Sequence, residues 1–151
     1  MGTLVLAACG GPQSLPCEEL TTAQELERVM LVVGDTEVSA EVAVTEEARD
    51  SAWVDRRCDL DALLWVPDQV GAVSISLCGV AAAVDLAFLR NGEVVALQSE
   101  ISPCDAPCDA CPIHGATGPI VDAVLWMPTG TIDLAEGDAV EGLDAVPLPT
   151  E

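Results

Sequence analysis

The dipeptide Asn91-Gly92, through what flanks it, constrains this chain more than any other feature. Before it runs Val80 to Leu89, a nearly unbroken apolar stretch with a single acid, Asp85; after it comes Glu93-Val94-Val95-Ala96-Leu97. Asn-Gly favours the two-residue turns that join adjacent antiparallel strands, so a β-hairpin is expected here.

Other segments repeat the pattern. Val29 to Val33 and the alternating Val38 to Val44 are separated by Gly34-Asp35-Thr36-Glu37, which predicts two strands and a turn. Thr45 precedes Glu46 and Glu47, a hydroxyl and two carboxylates suited to a helix start, and a short helix is expected from about 46 to 54. Leu60 to Val66, Val73 to Leu77 and Ile120 to Trp126 read as strands, and residues 102 to 119 as a Cys-, Pro- and Gly-rich loop. Residues 130 to 140 read as a turn or short helix followed by a closing strand. With one Phe, no Tyr and three Trp, the core must be filled by Val, Leu and Ala, which favours strands in tight layers. The expected class is mostly β (α+β): a small barrel or sandwich of short antiparallel strands with one or two short helices.

Charge narrows the partners. The chain carries 26 acids against five Arg and no Lys, a formal charge of −21. Nucleic acid and anionic lipid surfaces both need cations to meet them, so neither is an expected partner. No calcium-binding loop of the Asp-x-Asp-x-Asp-Gly kind occurs.

Leu6-Ala7-Ala8-Cys9 resembles a lipobox, in which Cys9 is the acylated residue. Gly10, Gly11 and Pro12 supply a flexible exit, while Met1-Gly2-Thr3 offers no basic stretch, as though an upstream start had been missed. The expected organisation is a lipoprotein signal remnant over 1–9 and a flexible tether over 10–25. One β-rich domain over 26–143 and a disordered tail over 144–151 follow. The membrane then enters only through the anchor, and the domain is expected as an exported monomer.

With Cys9 set aside, Cys17, Cys58, Cys78, Cys104, Cys108 and Cys111 remain, an even number that allows up to three disulfides in an oxidising compartment. Cys104-x3-Cys108-x2-Cys111 also has the spacing of an iron–sulfur ligand set, and His114 lies close enough in sequence for a Cys3His zinc site. A cluster enzyme needs a large α/β barrel and a reducing cytosol, so disulfides are the reading preferred over metal, and no cofactor is expected. Redox chemistry at Cys108-Asp109-Ala110-Cys111 is opposed by Asp105 and Asp109, whose charges raise thiol pKa values. Asp85 needs hydrogen-bond donors if buried, and it is the one candidate for catalysis. His114, the only His, reads as a loop residue without triad partners.

From about Val38 to Gly142 the order of segments resembles the domain-of-unknown-function family 192, a small β-rich bacterial and archaeal domain. Glu41-Val42-Ala43-Val44-Thr45-Glu46-Glu47 looks like its opening strand and helix start, and Leu63-Leu64-Trp65-Val66-Pro67 like a later strand. Val84-Asp85-Leu86-Ala87-Phe88-Leu89 with Asn91-Gly92 is similar to its hairpin, in which the acid also occurs. Glu136-Gly137-Asp138-Ala139-Val140 looks like its end. Pro103-Cys104 and Cys111-Pro112 resemble its Pro-Cys and Cys-Pro loop, which implies a bond from Cys104 to Cys111 or Cys108. The family's Phe-Trp-Met-Lys-Asn-Thr falls on Ile75-Ser76-Leu77-Cys78-Gly79-Val80, so its amide and basic groups are missing here. The resemblance implies the fold and no enzymatic activity. The expected function is that of an exported lipoprotein whose domain binds a small ligand or an envelope protein, or serves structurally, without catalysis. The alternative is a small hydrolytic, redox or zinc enzyme using Asp85 or the Cys104/Cys108/Cys111 loop.

Overall fold

A computed structural model describes residues 26–54, 61–104, 106–115 and 117–151. Cys9, Cys17, Cys58, the lipobox and the whole tether lie outside the described residues. Among the described residues nine strands and one α-helix follow in chain order: β1 (Arg28–Val33), β2 (Thr36–Ala43), α1 (Glu46–Ser51), β3 (Leu63–Trp65), β4 (Ile75–Ser76), β5 (Val84–Arg90), β6 (Glu93–Ile101), β7 (Ile113–His114), β8 (Ala123–Pro128) and β9 (Val140–Glu141). The same described residues include the 3-10 turns Cys108–Ala110 and Leu143–Ala145.

Seven strands form a half-barrel sheet in the order β6-β5-β8-β3-β2-β1-β9, and β4 pairs with β7 in a small second sheet. The expected antiparallel arrangement holds for every neighbouring pair of the large sheet except β2 and β3, which are parallel. The reason is local: α1 intervenes between them, and a helical crossover returns the chain in the same direction. Thr45 starts that helix, its Oγ1 accepting the Ala48 N–H at 3.1 Å. The helix ends at Ser51, shorter than the run to 54 that the sequence predicted, because Ala52 takes a positive φ of 34°.

The Asn-Gly turn forms as read, with φ of 53° at Asn91 and 78° at Gly92. Strand β6 runs on to Ile101, beyond Leu97 where the apolar signal stops, because β5 continues to supply partners as far as Val84. At the Asn91 end the sheet edges meet: Val94 N–H donates to Asp138 O at 2.9 Å and Val140 N–H to Gly92 O at 2.8 Å. Glu93 bridges Ala139 at the same place, so the half-barrel is drawn together at that end.

Both faces of the central strands are buried, which explains why β5 and β8 read as continuous apolar runs rather than alternating ones. Alternation assigns the side chains. Leu31, Val33, Val38, Ala40, Leu64, Ala87, Leu89, Leu125 and Met127 fill the barrel interior. Leu63, Leu86, Phe88, Val124 and Trp126 face a covering layer made of Ala48, Trp53, Val73, Ile75, Leu77 and Val80. Trp53 meets Trp126 edge-on, ring centroids 5.9 Å apart, and so supplies volume that a Val- and Ala-rich core otherwise lacks. Residues after Leu143 were expected to fray; instead Val146 is buried in the interior and Leu148 packs against it. Their apolar side chains continue the barrel core, which is what holds the segment down.

Candidate functional site

Asp85 begins the interior-facing row of β5 and is only 7% exposed. Its Oδ1 accepts the Glu100 N–H at 2.8 Å and the Thr129 hydroxyl at 3.0 Å, and its Oδ2 accepts the Gly130 N–H at 3.4 Å. The geometry arises from an irregularity in β6: Val84 pairs with Ile101 but Leu86 with Gln98, leaving Ser99 and Glu100 together opposite Asp85. Glu100 takes a φ of 58°, unusual for a residue with a side chain, and its N–H meets the carboxylate there. Asp85 thus ties β5, β6 and the turn after β8 into one knot. It lines a cleft of about 290 Å³ with Leu97, Met127, Gly130, Ile132 and Asp133. Gly79, where the family resemblance put an amide, is not in that lining; it lies beside Val54, whose Cγ1 is 3.0 Å from where a Cβ on Gly79 would sit.

The cysteine loop is divided between two pairs. Cys104 is paired with Cys111, Cα atoms 5.8 Å apart, and Cys78 with Cys108 at 5.3 Å. The first closes a short loop, whereas the second joins residues 30 apart in sequence and couples the segment after β4 to the 3-10 turn. His114 is taken into β7, opposite Ile75, rather than lying in a loop. Partial burial holds its imidazole pKa below the ordinary 6.5. Cys104, Cys108, Cys111 and His114 are therefore not gathered into one ligand set. Among the described residues no group of three or more His, Cys, Asp or Glu side chains is placed to hold a metal ion.

Two further features are visible only in the folded chain. Among the described residues the buried side-chain polar atoms without a hydrogen-bond partner are Trp126 Nε1 and Asp122 Oδ1. Trp126 lines a cleft of about 290 Å³ with Arg49, Trp65, Ser74, Ser76 and Cys78. Arg49 is immobilised on its border: Nη1 donates to Val44 O at 2.9 Å and Val66 O at 2.8 Å, Nη2 reaches Asp68 at 3.2 Å, and the guanidinium lies 5.8 Å from the Trp65 ring. Cys78, paired with Cys108, also lines the cleft. Asp122 stands just before β8, at the opposite end of the β5–β8 pair from Asp85. No local signal marks these atoms, since Trp126 and Asp122 sit inside an ordinary strand pattern.

Comparison with known proteins places this architecture. A Sinorhizobium meliloti protein, described as a candidate transcription regulator, is 20% identical with a TM-score of 0.62 over 76% of this chain and 92% of its own. A Novosphingobium aromaticivorans protein of unknown function is 20% identical with a TM-score of 0.62 over 93% of this chain and 99% of its own. At that identity these likenesses bear on the fold alone. No curated protein matches. The model of the DUF192 family, described as "Uncharacterized ACR", matches residues 29–142, well over half of the sequence, and the chain accordingly belongs to the DUF192 family.

Proposed function

We propose that this DUF192 protein is exported, is held to the membrane by a lipid on Cys9, and binds a small ligand without chemistry in the cleft at Trp126. The observation that carries the binding reading is the Trp126 indole N–H, buried in the lining of that cleft without an acceptor. A buried donor left unpaired costs about 1–3 kcal/mol, and a ligand oxygen reaching it recovers that penalty. Aromatic walls from Trp65 and Trp126 stand beside hydroxyls on Ser74 and Ser76 and the Arg49 border, so the cleft offers polar and apolar surface in comparable parts to a small ligand that carries both. The absence of catalysis is supported by Asp85, whose carboxylate is occupied by three donors. Export is supported by Leu6-Ala7-Ala8-Cys9 and by the pairing of Cys78 with Cys108 and Cys104 with Cys111.

The binding claim is tested by following the Trp126 indole N–H resonance during titration with N-methylpyrrolidone, a compact acceptor. A saturable shift of that resonance, lost in Trp65→Ala, is expected; an indole signal that never moves defeats the reading. The anchor claim is tested by fractionation and intact mass of Cys9→Ala, which is expected to leave the membrane fraction and lose the lipid mass. Unchanged partitioning and mass would overturn it.

A further inference from the structure

Glu41, Asp85 and Asp122 are buried carboxylates, and among the described residues Asp122 is the one with a buried oxygen that accepts no hydrogen bond. It is 5% exposed. Oδ2 accepts the Asn91 N–H at 3.1 Å, and Oδ1 accepts nothing. Removing an ionised oxygen from water without a partner is costly, and proteins meet such cost with a cation or with donors. Neither is present at Oδ1. The same residue lines a wide, open cleft of about 540 Å³ at the end where the sheet edges meet. Leu143, Leu148 and Pro149 give this cleft apolar walls, while Glu141 and Asp144 stand exposed at its border.

We propose that this cleft binds an organic cation: a primary ammonium or guanidinium group on an apolar body. The charged head completes Asp122 Oδ1, and the body lies against Leu148 and Pro149. A divalent metal fits less well, because no group of three or more ligating side chains is assembled among the described residues. An anion is opposed by Asp122, Glu141 and Asp144 together. The overall charge of −21 adds a field that concentrates cations near every acidic opening, and the buried oxygen turns that general attraction into one site. Asp122 Oδ1 is sealed from bulk water, so the head group enters as the carboxylate turns about its soft terminal torsion toward the cleft. This site is separate from the cleft at Trp126, and either can fail without the other.

The test uses the full chain and n-hexylammonium chloride as probe, with methylammonium, hexanoate and calcium as comparisons, read by backbone amide shifts and calorimetry. Hexylammonium is expected to saturate, with shifts centred on Asn91, Asp122 and Val140 to Asp144. It should bind at least about tenfold more tightly than methylammonium, because five methylenes are removed from water. Asp122→Asn should weaken it about tenfold or more, and Leu148→Ala should weaken it less. Equal responses to hexylammonium, methylammonium and calcium would reduce the effect to a diffuse acidic surface and overturn the proposal. So would unchanged affinity in Asp122→Asn. Should that variant not fold, the shift map of the unaltered protein still decides: saturable shifts elsewhere, or none, overturn it.

Discussion

Asp85 and Asp122 lie at opposite ends of the same strand pair, β5 and β8, and are almost equally buried at 7% and 5%. They differ in what surrounds them. Asp85 accepts from Glu100, Thr129 and Gly130, which brings three separate segments together on one carboxylate. Asp122 accepts from Asn91 alone and leaves one oxygen with no partner. Burial by itself therefore says little about the role of an acid. The number of donors aimed at it separates a carboxylate that organises the fold from one still able to bind.

The contrast is most easily broken at Asp85. Asp85→Ala strands three donors and should cost about 3 kcal/mol in denaturant unfolding. A loss below about 1 kcal/mol would mean that the knot contributes no more than one exposed hydrogen bond. A smaller effect of opposite sign is expected from Glu100→Gly, which keeps the N–H that Asp85 accepts and removes the side chain from a φ of 58°. Relief of left-handed strain should stabilise by about 1 kcal/mol, read as a raised melting temperature. Were the variant destabilised, the Glu100 side chain would have a role of its own.

Asp122→Asn should change stability by less than about 1 kcal/mol, since an amide oxygen still accepts the Asn91 N–H and the uncompensated charge disappears. Should unfolding show a cost equal to that of Asp85→Ala, the two acids would be equivalent and the distinction would fall. The smallest expected effect is the background set by His114, which belongs to neither end. Its folded pKa lies below the ordinary 6.5, so the unfolded chain binds its proton first as pH falls. Stability then declines slightly as pH drops below about 6.5, and His114→Gln should flatten that slope relative to the unaltered protein. A slope that persists unchanged would place the titration in other groups.

Much of the fold was legible in the residues. Asn91-Gly92 between apolar runs predicts the central hairpin, and the turn at Gly34-Asp35 predicts the β1–β2 pairing, found with Leu31 opposite Val38. Asp85 drew attention as the one acid in an apolar stretch. Its donors did not, because Thr129 and Gly130 follow it by 44 and 45 positions and one of its contacts is a main-chain N–H made available by an irregular strand. Asp122 was hidden for a different reason: in a chain with 26 acids, one more carboxylate before a strand carries no signal. The pairing of Cys78 with Cys108 was likewise undetermined, since six cysteines allow many connectivities and loop length alone does not choose among them.

What the sequence determined by itself is what short-range physics dictates: turn chemistry, strand periodicity, the helix start at Thr45 and a core that must be made from small aliphatic residues. What the tertiary structure decided is which polar atoms are satisfied. That depends on segments tens of residues apart arriving within about 3 Å of one another, a distance to which periodicity and propensity are blind. Two aspartates of the same strand pair could therefore become a structural knot and a half-empty acceptor, and only the folded chain tells them apart.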